Sequence, residues 1–507
     1  MSAAAPITSI VIVGGGTAGW MTAAAMARLA QAGVRVTLVE SEEIGTVGVG
    51  EATIPSILDF LRMLDLDEDD ALRRTGATFK LGIEFRDWGA VGERYLHPFG
   101  SFGRDVQGVA FHQLWLRQLR AGAEPGPLED YCLCAAAARL GRFARPDPNP
   151  SAVLSSLRYA FHFDASLFAR YLRDHAEACG VRRVEGRIAT AELAADSGNV
   201  ASVTLADGRR IAGELFVDCS GFRSLLLGDA LGVAWEGWER WLPNDRALAV
   251  PSAAATPPLP YTRATAGTAG WRWRIPLQHR TGNGHVYASS FLDDSAAERA
   301  LLDGLEEAAV GDVRPLRFSA GVRARLWERN CVGIGLAGGF LEPLESTSIH
   351  LIQTGIARLM ALFPDTGFAA AERDEYNRQL RREYEHARDF IILHYKATRR
   401  DDSAYWRYLR SMVVPDTLAE RIALWRGRAR VAHDRGELFT PDSWIAVLMG
   451  QEPAPAGFDP LAALLPADGT GRFMAHLRDV IGRTAAAMPP HEQFIARHCA
   501  AAPARAA

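Results

Sequence analysis

The sequence has few of the features that mark a membrane, secreted or nucleic-acid-binding protein. Its six cysteines are scattered and match neither a zinc site nor a disulfide framework, so we expect a cytoplasmic protein without a metal site. It has no uncharged apolar run of about 18 residues, and the N-terminus lacks a positively charged region, so we expect neither membrane spanning nor export. The formal net charge of −4 supplies no basic field for nucleic acid.

Lysine is also nearly absent. Of the 56 basic residues, all are arginine except Lys80 and Lys396. Arginine stays protonated, whereas lysine can lose its proton and act as a nucleophile or as an acid. Each lysine is therefore a candidate for chemistry. Lys396 lies close to Arg399 and Arg400, and we interpret it as a surface or ion-pair residue.

The 507-residue chain is 48% hydrophobic and opens with the pattern of a strand, a glycine turn, a helix and a second strand. The turn reads G-x-G-x-x-G, whose glycines allow a tight turn, backbone approach to a pyrophosphate and close helix–strand packing. The helix N-terminus adds free N–H groups, and an acidic residue ending the second strand suits a ribose hydroxyl. The unit predicts a dinucleotide site formed by Gly14, Gly16, Thr17, Ala18, Gly19 and Glu40.

Two later strand ends, at residues 215–221 and 331–339, contain further glycines. They resemble the segments that flank the ribityl chain and isoalloxazine in two-dinucleotide-fold flavoproteins, which favours FAD over NAD. The resemblance implies an α/β fold with a G-x-G-x-x-G core, mixed sheets and a largely helical substrate-binding subdomain. We expect an FAD-binding domain at 1–365, with inserted substrate elements at about 85–155, and a helical substrate-binding region at 366–507.

A W-x-W-x-I-P motif begins at Trp271 and predicts a strand with Trp271 and Trp273 on one face, ended by the proline. Together with the N-terminal G-G-G-T-A-G-W, the motif resembles the flavin-dependent tryptophan halogenases, in which it lies beside the flavin. The resemblance spans about residues 7–498. Further segments that resemble the family, in the same order, are 48–55 (GVGEATIP), 340–348 (FLEPLESTS), 388–402 (RDFIILHYKATRRDD) and 488–491 (MPPH).

The family resemblance implies a chemistry. Reduced flavin and O₂ would oxidise halide to hypohalous acid, which reaches Lys80 in the segment T-F-K-L-G-I, where the family carries its active-site lysine. The lysine either becomes a haloamine or hydrogen-bonds the hypohalous acid, and both roles require a primary amine. Glu345 matches the catalytic glutamate, which would stabilise the cationic arenium intermediate or remove its proton. A separate reductase would supply FADH₂.

The resemblance also implies binding residues. Thr347 and Ser348, before a predicted helix, would offer backbone N–H groups to chloride or bromide, although the family most often has glycine where Ser348 stands. His97 and Phe99 resemble the aromatic clamp for the substrate, with Trp444 as a candidate second wall. The remaining expected FAD contacts are Ala52, Ile188, Leu336 and Ile349.

The substrate is less well defined. The segment 432–441 lacks the paired tyrosines that bind the amino-acid end of free tryptophan in the family, so an indole-type or larger aromatic is favoured. Two alternatives stay open: an FAD-dependent aromatic monooxygenase on the same fold, and a non-catalytic flavin-binding protein. The sequence allows a homodimer and does not fix the halide or the position of halogenation.

Overall fold

The computed structural model describes residues 4–43 and 50–502 of the chain. Gly48 and Val49 of the GVGEATIP segment lie outside the described residues. The described residues form an α/β fold, as the sequence predicts. The strands are β1 Ser9–Val13, β2 Arg35–Glu40, β3 Gly50–Ala52, β4 Thr78–Lys80, β5 Gly82–Arg86, β6 Arg94–Pro98, β7 Ala160–Asp164, β8 Arg182–Glu185, β9 Ile188–Leu193, β10 Val200–Leu205, β11 Arg210–Ala212, β12 Leu215–Asp218, β13 Trp235–Gly237, β14 Arg246–Ser252, β15 Thr262–Ala266, β16 Gly270–Pro276, β17 Thr281–Tyr287, β18 Arg314–Arg317, β19 Gly321–Arg323, β20 Trp327–Glu328, β21 Cys331–Gly333 and β22 Gly339–Phe340.

The α-helices follow the same chain order and are concentrated in the C-terminal third. They are α1 Thr17–Gln31, α2 Ser56–Met63, α3 Glu68–Thr75, α4 Phe111–Arg120, α5 Leu133–Arg139, α6 Ala165–Ala178, α7 Asp294–Asp303, α8 Ser348–Ala361, α9 Ala370–Lys396, α10 Ala404–Ser411, α11 Asp416–Arg428, α12 Pro441–Gln451, α13 Pro460–Leu464, α14 Ala467–Ala487 and α15 His491–His498.

A six-stranded sheet, in the order β20-β21-β12-β1-β2-β8, forms the base of the predicted dinucleotide unit. β1 pairs in parallel with β2 and with β12, and β12 pairs in parallel with β21. The three glycine-containing strand ends therefore meet at one edge, because the carboxyl ends of parallel strands lie together. α1 begins at Thr17 rather than at Trp20 as expected from the sequence, so Thr17, Ala18 and Gly19 form its first turn.

A seven-stranded sheet, in the order β18-β14-β17-β16-β15-β5-β6, contains the W-x-W-x-I-P motif in β16. Trp271 and Trp273 are both buried, with ring centroids 6.1 Å apart, and the strand ends at Pro276. The predicted strand, its face and its end are confirmed. β6 lies at the edge of this sheet and pairs with β5, which places His97 opposite Ile83.

A small antiparallel sheet, β3-β7-β4, packs against the seven-stranded sheet through β3. β7 pairs with β3 through His162 and Ala52, and with β4 through Ala160 and Lys80. β3 and β4 therefore flank the same strand, β7. Thr53, which directly follows β3, lies within reach of the Lys80 side chain at the end of β4.

The C-terminal part of the chain is helical. Within the described range 366–502 the structure has α9 to α15 and no strand. α9 is partly exposed at its start and buried from Arg388 to Tyr395. The division between residues 365 and 366 stays a prediction. No helix in the described ranges 4–43 and 50–502 is long and apolar enough to cross a membrane.

Candidate active site

Lys80 ends β4 and is completely buried. Its Nζ atom donates hydrogen bonds to the carbonyl oxygen of Thr53 at 3.0 Å and to the hydroxyl of Ser346 at 2.8 Å. The ring of Phe99 lies over the same nitrogen, with its centroid 5.2 Å away. The amine of Lys80 therefore has two neutral hydrogen-bond acceptors and an aromatic ring around it. This environment differs from that of a surface lysine, which is surrounded by water.

The pKa of Lys80 follows from this enclosure. Burial lowers it from 10.5 to about 7, and the nearby Glu345 carboxylate only partly offsets that change. Near neutral pH the side chain is therefore present both as amine and as ammonium. The other lysine differs: Lys396 is half-buried and donates to the carbonyl oxygens of Arg410 and Met412. Of the two interpretations of Lys396, a surface or an ion-pair residue, the structure shows a partly exposed side chain that contacts backbone carbonyls.

Glu345 ends a short 3₁₀ turn and is 2% exposed. Two histidines from different elements hold its carboxylate: His97 Nδ1, from β6, lies 2.9 Å from Oε2, and His394 Nε2, from α9, lies 2.7 Å from Oε1. Burial alone would raise the pKa of Glu345, but His97 and His394 outweigh it and lower the pKa to about 2. The carboxylate is therefore ionised at neutral pH.

Ser346 joins the two candidate catalytic residues. It directly follows Glu345 in the chain, and its hydroxyl accepts the hydrogen bond from Lys80. Its backbone is left-handed, with φ of +58°, which turns the chain sharply between the 3₁₀ turn and α8. Lys80 and Glu345, 265 positions apart in the sequence, thus share one buried site.

The start of α8 lies in the same place. Thr347 is the N-cap of this helix, and no side chain caps its free N–H groups. The Thr347 hydroxyl is fully buried and has no hydrogen-bond partner among the described residues. An uncapped helix N-terminus together with an unpartnered hydroxyl suits a halide ion, which accepts hydrogen bonds from both. Ser348, the first helical residue, is half-buried and adds its N–H group to the same turn.

Aromatic rings form a wall beside His97. The ring of Phe390 lies 5.7 Å from that of His97, and Phe439 stacks on Phe390 at 3.8 Å. Trp444 makes a T-shaped contact with Phe390, with the ring centroids 5.1 Å apart, so Phe390 contacts both Trp444 and His97. The role of Trp444 as a substrate wall stays a prediction, and the structure adds Phe390 and Phe439 to that wall.

The glycine turn at the end of β1 has the shape that a dinucleotide requires. Gly14 has φ of +107°, and a Cβ atom on it would overlap the carbonyl oxygen of Cys219 at the end of β12. A Cβ on Gly19 would overlap the Gly14 carbonyl, so glycine permits this close packing of α1. At Gly16 a Cβ would meet nothing within 4 Å, so space is open directly before the first turn of α1. These positions fit the pyrophosphate of FAD.

The other expected FAD contacts surround this turn. Glu40 lies against Gly15 and accepts a hydrogen bond from Trp20 Nε1 at 3.2 Å and one from Arg183. A Cβ on Gly335 would lie 2.9 Å from the side chain of Ala18, which brings the third strand end onto α1. The contact roles of the remaining residues stay predictions: Ala52 in β3, Ile188 at the start of β9, Leu336 in a 3₁₀ turn and Ile349 in the first turn of α8.

The structure adds residues that the sequence did not single out. His394 lies in the family-like segment 388–402, but no spacing in that segment indicates its contact with Glu345. Glu342 is buried, and its Oε2 accepts hydrogen bonds from Trp271 Nε1 at 2.9 Å and from Tyr395 OH at 2.7 Å. Glu342 therefore ties the W-x-W-x-I-P strand to the turn that carries Glu345.

A glycine cradle at the carboxyl ends of three parallel strands and a buried lysine–glutamate site together fit a flavoprotein enzyme. The family profile for tryptophan halogenase matches residues 9–467 of the chain. Tryptophan 6-halogenase SttH from Streptomyces toxytricini is 36% identical over 90% of this chain and 92% of that protein. The chain belongs to the tryptophan halogenase family.

Solved structures agree with this assignment. Xcc4156, a flavin-dependent halogenase from Xanthomonas campestris, has a TM-score of 0.95 and 48% identity, covering 99% of this chain and 100% of that chain. BrvH, a flavin-dependent halogenase from Brevundimonas sp. BAL3, has a TM-score of 0.93 and 49% identity, covering 97% and 99%. The chain is a flavin-dependent halogenase, with FADH₂ as cofactor and a halide as co-substrate.

Proposed function

We propose that this enzyme halogenates an electron-rich, indole-type aromatic, with Lys80 delivering the halogen and Glu345 acting on the ring that receives it. One observation carries the proposal: a fully buried primary amine and a buried, ionised carboxylate lie in one site, joined through Ser346. Delivery of an electrophile needs the first group, and a cationic ring intermediate needs the second.

The chain would hold FAD and halide at two helix starts. Gly14, Gly16 and the first turn of α1 would hold the FAD pyrophosphate, with Trp271 and Trp273 nearer the flavin ring. When bound, FADH₂ would supply the electrons that activate O₂, and the activated oxygen would oxidise halide to hypohalous acid. Thr347 would place the halide through its free hydroxyl and the N–H groups at the start of α8.

Lys80 would receive the hypohalous acid. With a pKa of about 7, its neutral form can take the halogen onto nitrogen, and its ammonium form can hydrogen-bond the oxygen and make the halogen more electrophilic. Both routes use the primary amine, whose hydrogen bonds to Thr53 and Ser346 fix its position. Glu345 would stabilise the positive charge on the halogenated ring and accept the departing proton, while His97 and His394 keep it ionised.

The proposed substrate class follows from the wall around His97. His97, Phe99 and the stacked pair of Phe390 and Phe439 present flat faces that suit an electron-rich ring. SttH is named a tryptophan 6-halogenase, and RebH from Lentzea aerocolonigenes, 34% identical, is named a tryptophan 7-halogenase. Because segment 432–441 lacks paired tyrosines, we propose an indole without the amino-acid end, or a larger indole-containing molecule.

Product mass tests the proposal. The enzyme is supplied with FAD, a flavin reductase, NADH, O₂, bromide and, in separate reactions, indole or a larger indole-containing molecule. The products are read by mass spectrometry with and without bromide. We expect a product in which bromine replaces one hydrogen of an indole ring, formed only with bromide. A product that gains oxygen instead would support the monooxygenase alternative. FAD binding without conversion of any tested indole would support a non-catalytic protein, and either result would overturn the proposal.

We also propose that FADH₂ comes from a separate reductase. G-x-G-x-x-G opens an α-helix at 14–19, whereas its second occurrence, at 333–338, runs into a 3₁₀ turn and lacks the helix that a separate NAD(P)H-binding unit needs. Halogenation should then require added reductase when NADH is the only electron source. A homodimer stays a prediction, and light scattering of the purified enzyme tests it.

A further inference from the structure

Two cysteines that halogenation does not use lie against the segment that follows Phe99. Cys132 and Cys134 are fully buried and flank the start of α5. A Cβ atom on Gly100 would lie 2.9 Å from Cys134 Sγ and 3.1 Å from Cys132 Sγ. Both sulfur atoms therefore converge on one point of the backbone, next to the Phe99 wall of the active site.

The Cα separation at this place is compatible with a disulfide. Leu133, between the two cysteines, is the first residue of α5. In helical geometry, Cα atoms two residues apart are separated by about 5.4 Å. That separation lies within the range of roughly 4.4–6.8 Å that disulfides require. Both cysteines are free thiols.

The surroundings give the two thiols different roles. Cys134 Sγ lies 3.3 Å from both the N–H and the carbonyl oxygen of Arg158. The neighbouring Cys132 thiol lowers the pKa of the Cys134 thiol, and the Arg158 N–H adds to that effect. Because its sulfur accepts the Arg158 N–H, Cys134 is the thiol that we expect to react first, with Cys132 beside it to resolve the oxidised form.

We propose that Cys132 and Cys134 form a redox site that the enzyme's own hypohalous acid oxidises to an internal disulfide. The inference rests on the proposed function, which places that acid at Lys80. The Phe99 ring faces Lys80 Nζ at 5.2 Å, and the Phe99 N–H donates to the carbonyl of Leu81 at 3.0 Å. Gly100 is the next residue, so the two sulfurs lie against the chain one residue beyond the Phe99 ring.

The reaction balances with hypohalous acid as the only oxidant. The Cys134 sulfur attacks the halogen, so that an S–halogen bond forms and the halogen–oxygen bond breaks. The released hydroxide takes the Cys134 thiol proton and leaves as water. The Cys132 sulfur then attacks the Cys134 sulfur, forming the S–S bond, while halide leaves and the second thiol proton passes to solvent. Two thiols are oxidised and one hypohalous acid is reduced to halide and water.

Turnover without an aromatic substrate tests the inference, because hypohalous acid then has no acceptor. The holoenzyme receives reductase, NADH, O₂, bromide and catalase, and free thiols are then alkylated. Trypsin places both cysteines in one peptide, residues 121–139. We expect this peptide to become lighter by two hydrogen atoms and to resist alkylation in nearly every chain, and dithiothreitol to reverse the change. The same reaction without bromide is the control.

Variants and a parallel reaction sharpen the test. The Cys132→Ser enzyme lacks the resolving thiol, so we expect Cys134 to accumulate as sulfenic and sulfinic acid. A peptide that stays reduced after turnover overturns the inference, as does oxidation that falls equally on the other cysteines. If indole is brominated in a parallel reaction, the proposed function stands; if it is not, that function fails as well. The comparison cysteines are Cys179, Cys219, Cys331 and Cys499.

Discussion

The protonation of Lys80 can be measured directly, because the chain has only two lysines. The structure lowers the pKa of Lys80 from 10.5 to about 7 by burial. At about 1.4 kcal/mol per pKa unit, this change costs the folded state about 5 kcal/mol below pH 7, and the cost disappears as the pH rises to 10.5. The same burial keeps part of the Lys80 side chain in the neutral, nucleophilic amine form near pH 7.

The assay is a titration of enzyme labelled with ¹³C-lysine and followed by NMR at the Cε carbons. Two side-chain signals are expected, and the Lys396→Arg variant, which removes one of them, assigns the other to Lys80. The Lys80 signal should titrate with a midpoint of about 7. A midpoint near 10.5 would show that burial does not lower the pKa of Lys80. Either solvent would then reach the amine, or the Glu345 carboxylate would keep the lysine protonated.

The same shift predicts how stability changes with pH. The folded pKa lies below the unfolded one, so the unfolded chain binds more protons between pH 7 and pH 10.5, and stability rises with pH across that window. Lys80 contributes up to about 1.4 kcal/mol per pH unit to that slope. Urea unfolding of the wild type and of Lys80→Met at several pH values isolates it, and equal slopes would contradict the prediction.

Three further changes test the site and its cofactor cradle. Glu345→Gln should slow bromination of indole by about 10²- to 10⁴-fold while FAD affinity stays the same, as measured by single-turnover kinetics and flavin titration; wild-type rates would remove Glu345 from the mechanism. His394→Gln removes a group that lowers the pKa of Glu345, so the acidic limb of the pH–rate profile should move to higher pH, and an unmoved limb would contradict this role. Gly16→Ala should melt like the wild type without FAD but bind FAD at least roughly tenfold more weakly, because its Cβ enters the open space before α1. Gly482→Ala, on α14, is the matched control and should bind FAD normally. If Gly16→Ala binds FAD as tightly as Gly482→Ala, Gly16 does not lie in the FAD site.

Local patterns in the sequence predicted much of the fold. The G-x-G-x-x-G turn was recognisable because its glycines fall between an apolar strand and an Ala-rich helix, and the structure needs glycine at Gly14 and Gly19 for close packing. The tryptophan pair of β16 was predicted because side chains two residues apart share a face of a strand. Lys80 stood out by scarcity, and its complete burial agrees with a special role.

Other parts of the site depend on tertiary placement, which a local pattern does not carry. His394 lies in the last turn of a 27-residue helix, and its contact with Glu345 exists only because the end of α9 packs against the turn before α8. The contacts of Phe390 with His97 and Trp444 depend on the placement of the same helix. The helix start at Thr17 was missed because the glycine turn ends at Gly16. Thr17, Ala18 and Gly19 then begin α1, although these residues do not mark a helix start in the sequence.

The central claim is that Lys80 stands between hypohalous acid and the aromatic substrate. The most direct measurement compares Lys80→Ala with Lys396→Ala, the matched replacement of the only other lysine, by the amount of brominated indole formed per O₂ consumed. We expect Lys396→Ala to keep the wild-type ratio, while Lys80→Ala still binds FAD and consumes O₂ but yields no brominated indole. A wild-type ratio from Lys80→Ala would show that Lys80 does not deliver the halogen.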